Sequence, residues 1–119
     1  MNKLPDESEI QSLLLRLGAR PNYVGFHYAE YGIRLALEDE NRLQAVTKEL
    51  YLEIARHYHV SWSTVEYNLR TMINKMWNKN RTHLKTELRY PFPRKPTVGE
   101  FLAVVTLYLR IQGKRDSGK

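Results

Sequence analysis

Residues 51 to 70, YLEIARHYHVSWSTVEYNLR, constrain this chain more than any other stretch. Their pattern predicts two helices joined by a tight turn, a helix-turn-helix. Helices that cross steeply need a small side chain at their closest approach, and Ala55 supplies it. Val60 at the turn and Val65 in the second helix are expected to fill the wedge between them. Ser61 precedes the second helix, where a hydroxyl accepts a backbone N–H bond. His59 holds the turn position that glycine usually occupies, so a positive φ is expected there at a steric cost.

A chain of 119 residues supports one domain with one core. The expectation is a single domain over residues 1–119, ordered from about residue 7 to 112, with a frayed basic tail from 113 to 119. The absence of cysteine excludes disulfides and thiolate metal sites. No apolar run nears the roughly 18 residues that span a bilayer, and MNKLPDESE has no signal-peptide core. A cytoplasmic protein without membrane contact is expected.

Charge is unevenly placed. Residues 1–60 carry 7 Lys/Arg and 9 Asp/Glu, whereas residues 61–119 carry 12 and 4. Between Lys75 and Lys95 seven basic residues are opposed by Glu87 alone. A field of that sign, beginning where the second motif helix ends, suits a polyanion. A solvated basic loop is the plainer alternative.

Asp6 and Glu9 form a capping pair that opens a helix with Ile10, Leu13, Leu14 and Leu17 on one stripe. Gly18 ends it and Pro21 keeps it from resuming. A second helix, about residues 24–39, aligns Phe26, Ala29, Ile33, Ala36 and Leu37, although Gly25 and Gly32 each cost about 1 kcal/mol against alanine. Leu43, Val46 and Leu50 predict a short third helix, followed by the motif's first helix from about Leu52 to Tyr58. The second motif helix is expected over about Trp62 to Asn78. Residues 79–96 lack sustained periodicity and contain three prolines, with Leu84 and Leu88 marking at most a short helical piece. Thr97 and Glu100 cap a last helix that buries Phe101, Val104, Val105 and Tyr108. No strand alternation is present. The expected fold class is all-α, a six-helix bundle containing a helix-turn-helix.

Within the second motif helix, Val65, Leu69, Met72, Ile73 and Met76 share a narrow arc. Ser63, Glu66, Tyr67, Arg70, Thr71 and Asn74 lie roughly opposite, a mixture of groups able to read base edges. An ordinary polar face is the competing reading. Arg70 is expected to fork onto a guanine. Glu66 either accepts from a cytosine or orients Arg70 at i,i+4 spacing. Ser63 and Thr64 suit phosphate at the helix start. Lys75, Lys79, Arg81 and Lys85 suit the DNA backbone. Tyr67 either meets a thymine methyl or sugar, or packs on a neighbour. Trp62 and Trp77 read as core or staple residues rather than base-stacking platforms, and Tyr28, Tyr31 and Tyr51 as packing residues with a polar tip at the surface. His57 and His59 stand two apart, which points them to different sides of a helix, so no metal site is expected. No cofactor motif and no nucleophile–base arrangement is present, and an enzyme is not expected.

Four segments together resemble a known family: LLLRLGARPNYVGFHYAEYGI, VTKELYLEIARHYHVSWSTVEYNLR, the MW closing the long helix, and KPTVGEFLAVV. Over about residues 10–112 the chain resembles the C-terminal DNA-binding effector domain of the master sporulation response regulator of endospore-forming bacteria. The resemblance implies a six-helix bundle that binds short DNA boxes, often as a head-to-tail pair, and activates or represses transcription. It implies DNA contact by Ser63, Glu66 and Arg70. Further contact positions in the family are basic or histidine, whereas this chain has Thr64, Tyr67 and Thr71, which bears on the preferred box. The family's receiver domain has no counterpart here, so an effector acting without its own sensor is expected. RNA polymerase or a sigma factor is a further expected partner. The alternative is a protein-interaction module or antagonist that keeps the fold without specific DNA reading.

Overall fold

Asp6 opens the first helix in the manner its spacing predicts. In the computed structural model, which describes residues 4–117 and the side chains of 4–113, its carboxylate accepts the Glu9 N–H at 2.9 Å. Glu9 in turn accepts the Asp6 N–H at 3.3 Å. The helix they cap, α1 (Glu7–Arg16), buries Ile10, Leu13 and Leu14. Gly18 then takes φ +100°, a conformation that side chains rarely adopt, and turns the chain toward the next element.

The second helix, α2 (Val24–Glu38), is the axis of the molecule, buried along most of its length. Gly25, which sequence reasoning counted as a weakness, has a packing reason. A Cβ there would stand 2.5 Å from the Asn68 carbonyl oxygen, so the backbones of α2 and the long helix below approach directly. The expected short third helix is replaced by two irregular turns, a 3-10 turn over Glu40–Gln44 and a π turn over Thr47–Tyr51. The π turn feeds without interruption into α3 (Leu52–Tyr58), and Leu50 and Tyr51 still reach the core.

His59 ends α3 at φ 58°, ψ 46°, the left-handed turn that the sequence demanded. Ser61 then caps α4 (Trp62–Leu88), its Oγ accepting the Thr64 N–H at 3.2 Å. Two expectations fail here. Val60 does not fill a wedge but is 36% exposed, and of the core and staple roles read for Trp62 the core role fails, since the side chain is 48% exposed. Val65 and Ala55 are buried as expected.

Helix α4 runs well past Asn78. It is interrupted at Asn80, whose backbone is extended at φ −162°. The Asn80 side chain accepts the His83 N–H at 3.0 Å and so restarts the helix. Residues 81–88 bury Leu84 and Leu88, and Glu87 ties the segment to α1 by accepting from Arg16 at 3.2 Å. Arg89 closes the segment in a second left-handed turn, and Phe92 anchors the following loop edge-on to Trp77. Thr97 caps α5 (Val98–Ser117) by accepting the Glu100 N–H at 3.1 Å. Arg110 donates to the carbonyls of Ala36 and Leu37 at 3.2 and 2.7 Å, satisfying acceptors that the end of α2 leaves open.

The described residues are all-helical, with five α-helices rather than the six expected. The backbone stays helical to Ser117, against an expected fraying from 113, while residues 118 and 119 lie outside the described range.

Candidate nucleic-acid interface

The inward side of α4 fixes what its outward side presents. Val65, Leu69, Met72, Ile73 and Met76 are all buried against the core. With about 100° of rotation per residue, that stripe turns Ser63, Tyr67, Thr71 and Asn74 away from it. Tyr67 is 59% exposed and is the most outlying large side chain of the face. Ser63 is exposed, while Thr64, Thr71 and Asn74 are half-buried on its shoulders.

Arg70 and Glu66 are brought together. The Arg70 guanidinium donates to Glu66 Oε2 at 2.8 Å, with the two side chains 55% and 25% exposed. Of the two roles open to Glu66, the free chain uses the orienting one. Behind the pair, burial and then the Glu66 charge push the Tyr51 phenol up to about 12, so it stays a neutral hydrogen-bond donor. At the helix start, Ser61 Oγ lies 3.1 Å from Ser63 Oγ and 2.9 Å from Thr64 Oγ1. These three hydroxyls form one cluster beside exposed Trp62. Asn68 donates to the Thr64 carbonyl at 2.8 Å and is occupied within the helix.

The basic residues divide in two. Lys75 lies 4.7 Å over the Tyr23 ring, and Lys79 is exposed. Arg81 and Lys85 lie beyond the Asn80 interruption and sit 6.0 and 5.6 Å over the Trp77 ring. Sequence reasoning assigned all four to the DNA backbone, with the helix ending near Asn78. The extended residue between Lys79 and Arg81 removes any common axis.

Grooves flank the outward face of α4. One, of about 260 Å³, lies between Asn22–Gly25 and the Asn68, Thr71 and Lys75 shoulder. The other, about 410 Å³, lies between Arg70 and the residues leading into α5. Sequence reasoning counted Lys95 only in the basic segment and Thr97 only as a cap, because only the fold brings residues 25 and 27 positions beyond Arg70 to its side. It also missed Trp62, whose helix-start position carries no periodicity signal. His57 stacks on Tyr31 with ring centroids 4.1 Å apart. No group of three or more potential metal-ligating side chains occurs among the described residues.

A helical domain that anchors one face of a long helix and leaves the opposite polar face open, in a basic half of the chain, has the form of a DNA-binding effector domain. The family model described as sporulation initiation factor Spo0A C terminal matches residues 10–109, and the chain belongs to that family. It is therefore of the sporulation regulator's DNA-binding effector type. No helix among the described residues is long and apolar enough to cross a membrane.

Proposed function

We propose that this chain is a sequence-specific regulator of transcription that reads duplex DNA with α3, the His59–Ser61 turn and α4 acting as a helix-turn-helix. Counting α4 as two segments joined at Asn80 gives the six-helix bundle that the family resemblance implies. The observation that carries the reading is the open outward face of α4, where Tyr67 and Arg70 stand more than half exposed on a helix whose other side is locked in the core.

In the proposed complex the first half of α4 enters the major groove. Ser63, Glu66, Tyr67, Arg70 and Thr71 address the bases, with Arg70 held ready by Glu66. Thr64, Lys75, Lys79, Arg81 and Lys85 address the backbone, which fixes register without carrying sequence information. Two copies pair head-to-tail on adjacent boxes, and RNA polymerase or a sigma factor takes the regulatory output.

The test is selection of bound duplexes from a random pool, followed by salt titration on selected and random DNA. A selected site should bind far more tightly, and Arg70→Ala should lose about 1–3 kcal/mol on that site with little change on random DNA. Equal affinity for every duplex would leave a purely electrostatic binder. No binding at low salt would favour the protein-interaction reading, which the uncharged Thr64, Tyr67 and Thr71 also support.

A further inference from the structure

The larger groove beside α4 has the size and lining of a small-molecule site. Its volume of about 410 Å³ lies within the roughly 300–1,000 Å³ typical of such sites. Val46, Ile73 and Val98 give it an apolar surface, and polar side chains reach it from three separate segments. Tyr51 comes from the π turn, Arg70 and Asn74 from α4, and Lys95 and Thr97 from the lead-in to α5. Two cations, Arg70 and Lys95, outnumber the one carboxylate, Glu66, so the cleft favours an anion.

Asn74 adds a second requirement. Its Oδ1 is buried and accepts no hydrogen bond from the protein. Buried acceptors are normally satisfied by protein, ordered water or ligand, so a ligand in the cleft that carries a donor would complete this one. A phosphodiester backbone fails that requirement, because it carries neither O–H nor N–H. A small molecule with a phosphate at one end and hydroxyls along its skeleton meets both.

We propose that this cleft binds a small phosphorylated polyhydroxy compound of the sugar-phosphate class. The phosphate lies between Arg70 and Lys95 with the Thr97 hydroxyl donating to it. A skeleton hydroxyl donates to Asn74 Oδ1, and the carbon face rests on Ile73 and Val98. Tyr51, held neutral, supplies a further O–H. Two cations from different segments suit a tetrahedral dianion better than a planar carboxylate. Because Arg70 also serves the outward face, an occupied cleft draws it from Glu66 and from DNA, and ligand weakens sequence reading. The binding site stands independently of the DNA reading; its effect on DNA rests on that reading.

The experiment is a titration of the isotope-labelled full chain with ribose 5-phosphate, followed by amide NMR at constant ionic strength, with ribose and sodium chloride as controls. Ribose 5-phosphate should give saturable shifts at Thr47, Asn74, Thr97 and Gly99 and leave Asn22 to Gly25 unmoved. Lys95→Gln, at an exposed position, should weaken that binding about tenfold, the loss of one charge-assisted contact. Asn74→Leu should weaken it with the phosphate contacts intact. Absence of saturable shifts, or equal shifts with sodium chloride, overturns the proposal. If Lys95→Gln instead lowers the salt dependence of duplex binding while ribose 5-phosphate does nothing, the phosphate belongs to the DNA backbone and the free-ligand proposal fails. A chain that binds no duplex at all would sink the regulator reading and leave the titration outcome untouched.

Discussion

The two halves of α4 use similar residues to opposite ends. Residues 62–79 bury a stripe from Val65 to Met76 against the core and leave Ser63, Tyr67 and Arg70 facing outward. Residues 81–88 bury Leu84 and Leu88, and spend their polar groups on the rest of the chain. His83 Nε2 lies 2.7 Å from the Arg16 carbonyl, Glu87 pairs with Arg16, and Lys85 covers Trp77. A helix held by many apolar contacts can leave its polar side open to a ligand. One held by few must recruit that side for its own attachment.

The largest expected effect breaks the two halves apart. Leu69 and Leu84 are equally buried, but Leu69 belongs to the continuous buried stripe from Val65 to Met76, whereas Leu84 shares residues 81–88 with Leu88 as the other buried side chain. Leu69→Ala should lower global stability by about 2–5 kcal/mol, as a cavity in a core that cannot collapse. Leu84→Ala should fall at the lower end of that range and act mainly by local opening of 81–88. Urea midpoints with amide hydrogen exchange distinguish the two. Equal loss of protection across the whole chain in both variants would show that α4 is one cooperative unit and remove the contrast.

The same contrast explains which parts of the molecule could be read in advance. The first half of α4 was legible because five apolar residues at helical spacing leave one solution for its rotation. The caps at Asp6, Ser61 and Thr97 were legible because each is a local hydrogen bond within three residues. The second half was not, since two leucines four apart do not define a face, and Asn80 reads as an ordinary helix-compatible residue until its extended backbone is seen. The π turn was missed for a related reason: Leu43, Val46 and Leu50 keep helical spacing while the hydrogen bonds between them do not. Of the site, the residues on α4 were legible individually. The pairing of Arg70 with Glu66 was foreseen as one of two options, and the approach of Lys95 and Thr97 required the tertiary fold.

A smaller effect tests the joint itself. Asn80→Ala removes the side chain that accepts the His83 N–H and supplies a residue that favours continued helix. The lost cap should cost about 1 kcal/mol, partly offset by the higher propensity of alanine. Hydrogen exchange should place the loss in residues 81–88, and Arg70-dependent DNA discrimination should remain. If discrimination falls instead, the two halves communicate through the joint and the outward face is not set by the core stripe alone.

The smallest effect concerns the attachment to α1. Glu87→Gln abolishes the ion pair with Arg16 and leaves Leu84 and Leu88 in place. The Arg16 side chain is about half exposed, so the pair is screened by solvent and should contribute less than about 1 kcal/mol. That corresponds to at most about a fivefold loss of amide protection in residues 81–88. The loss should vanish as added salt shortens the reach of the charges. A loss that persists at high salt would mean that Glu87 acts by packing and hydrogen-bond geometry, not by charge. The second half of α4 would then be held as the first half is, by close fit, and its polar side would be free to serve a partner.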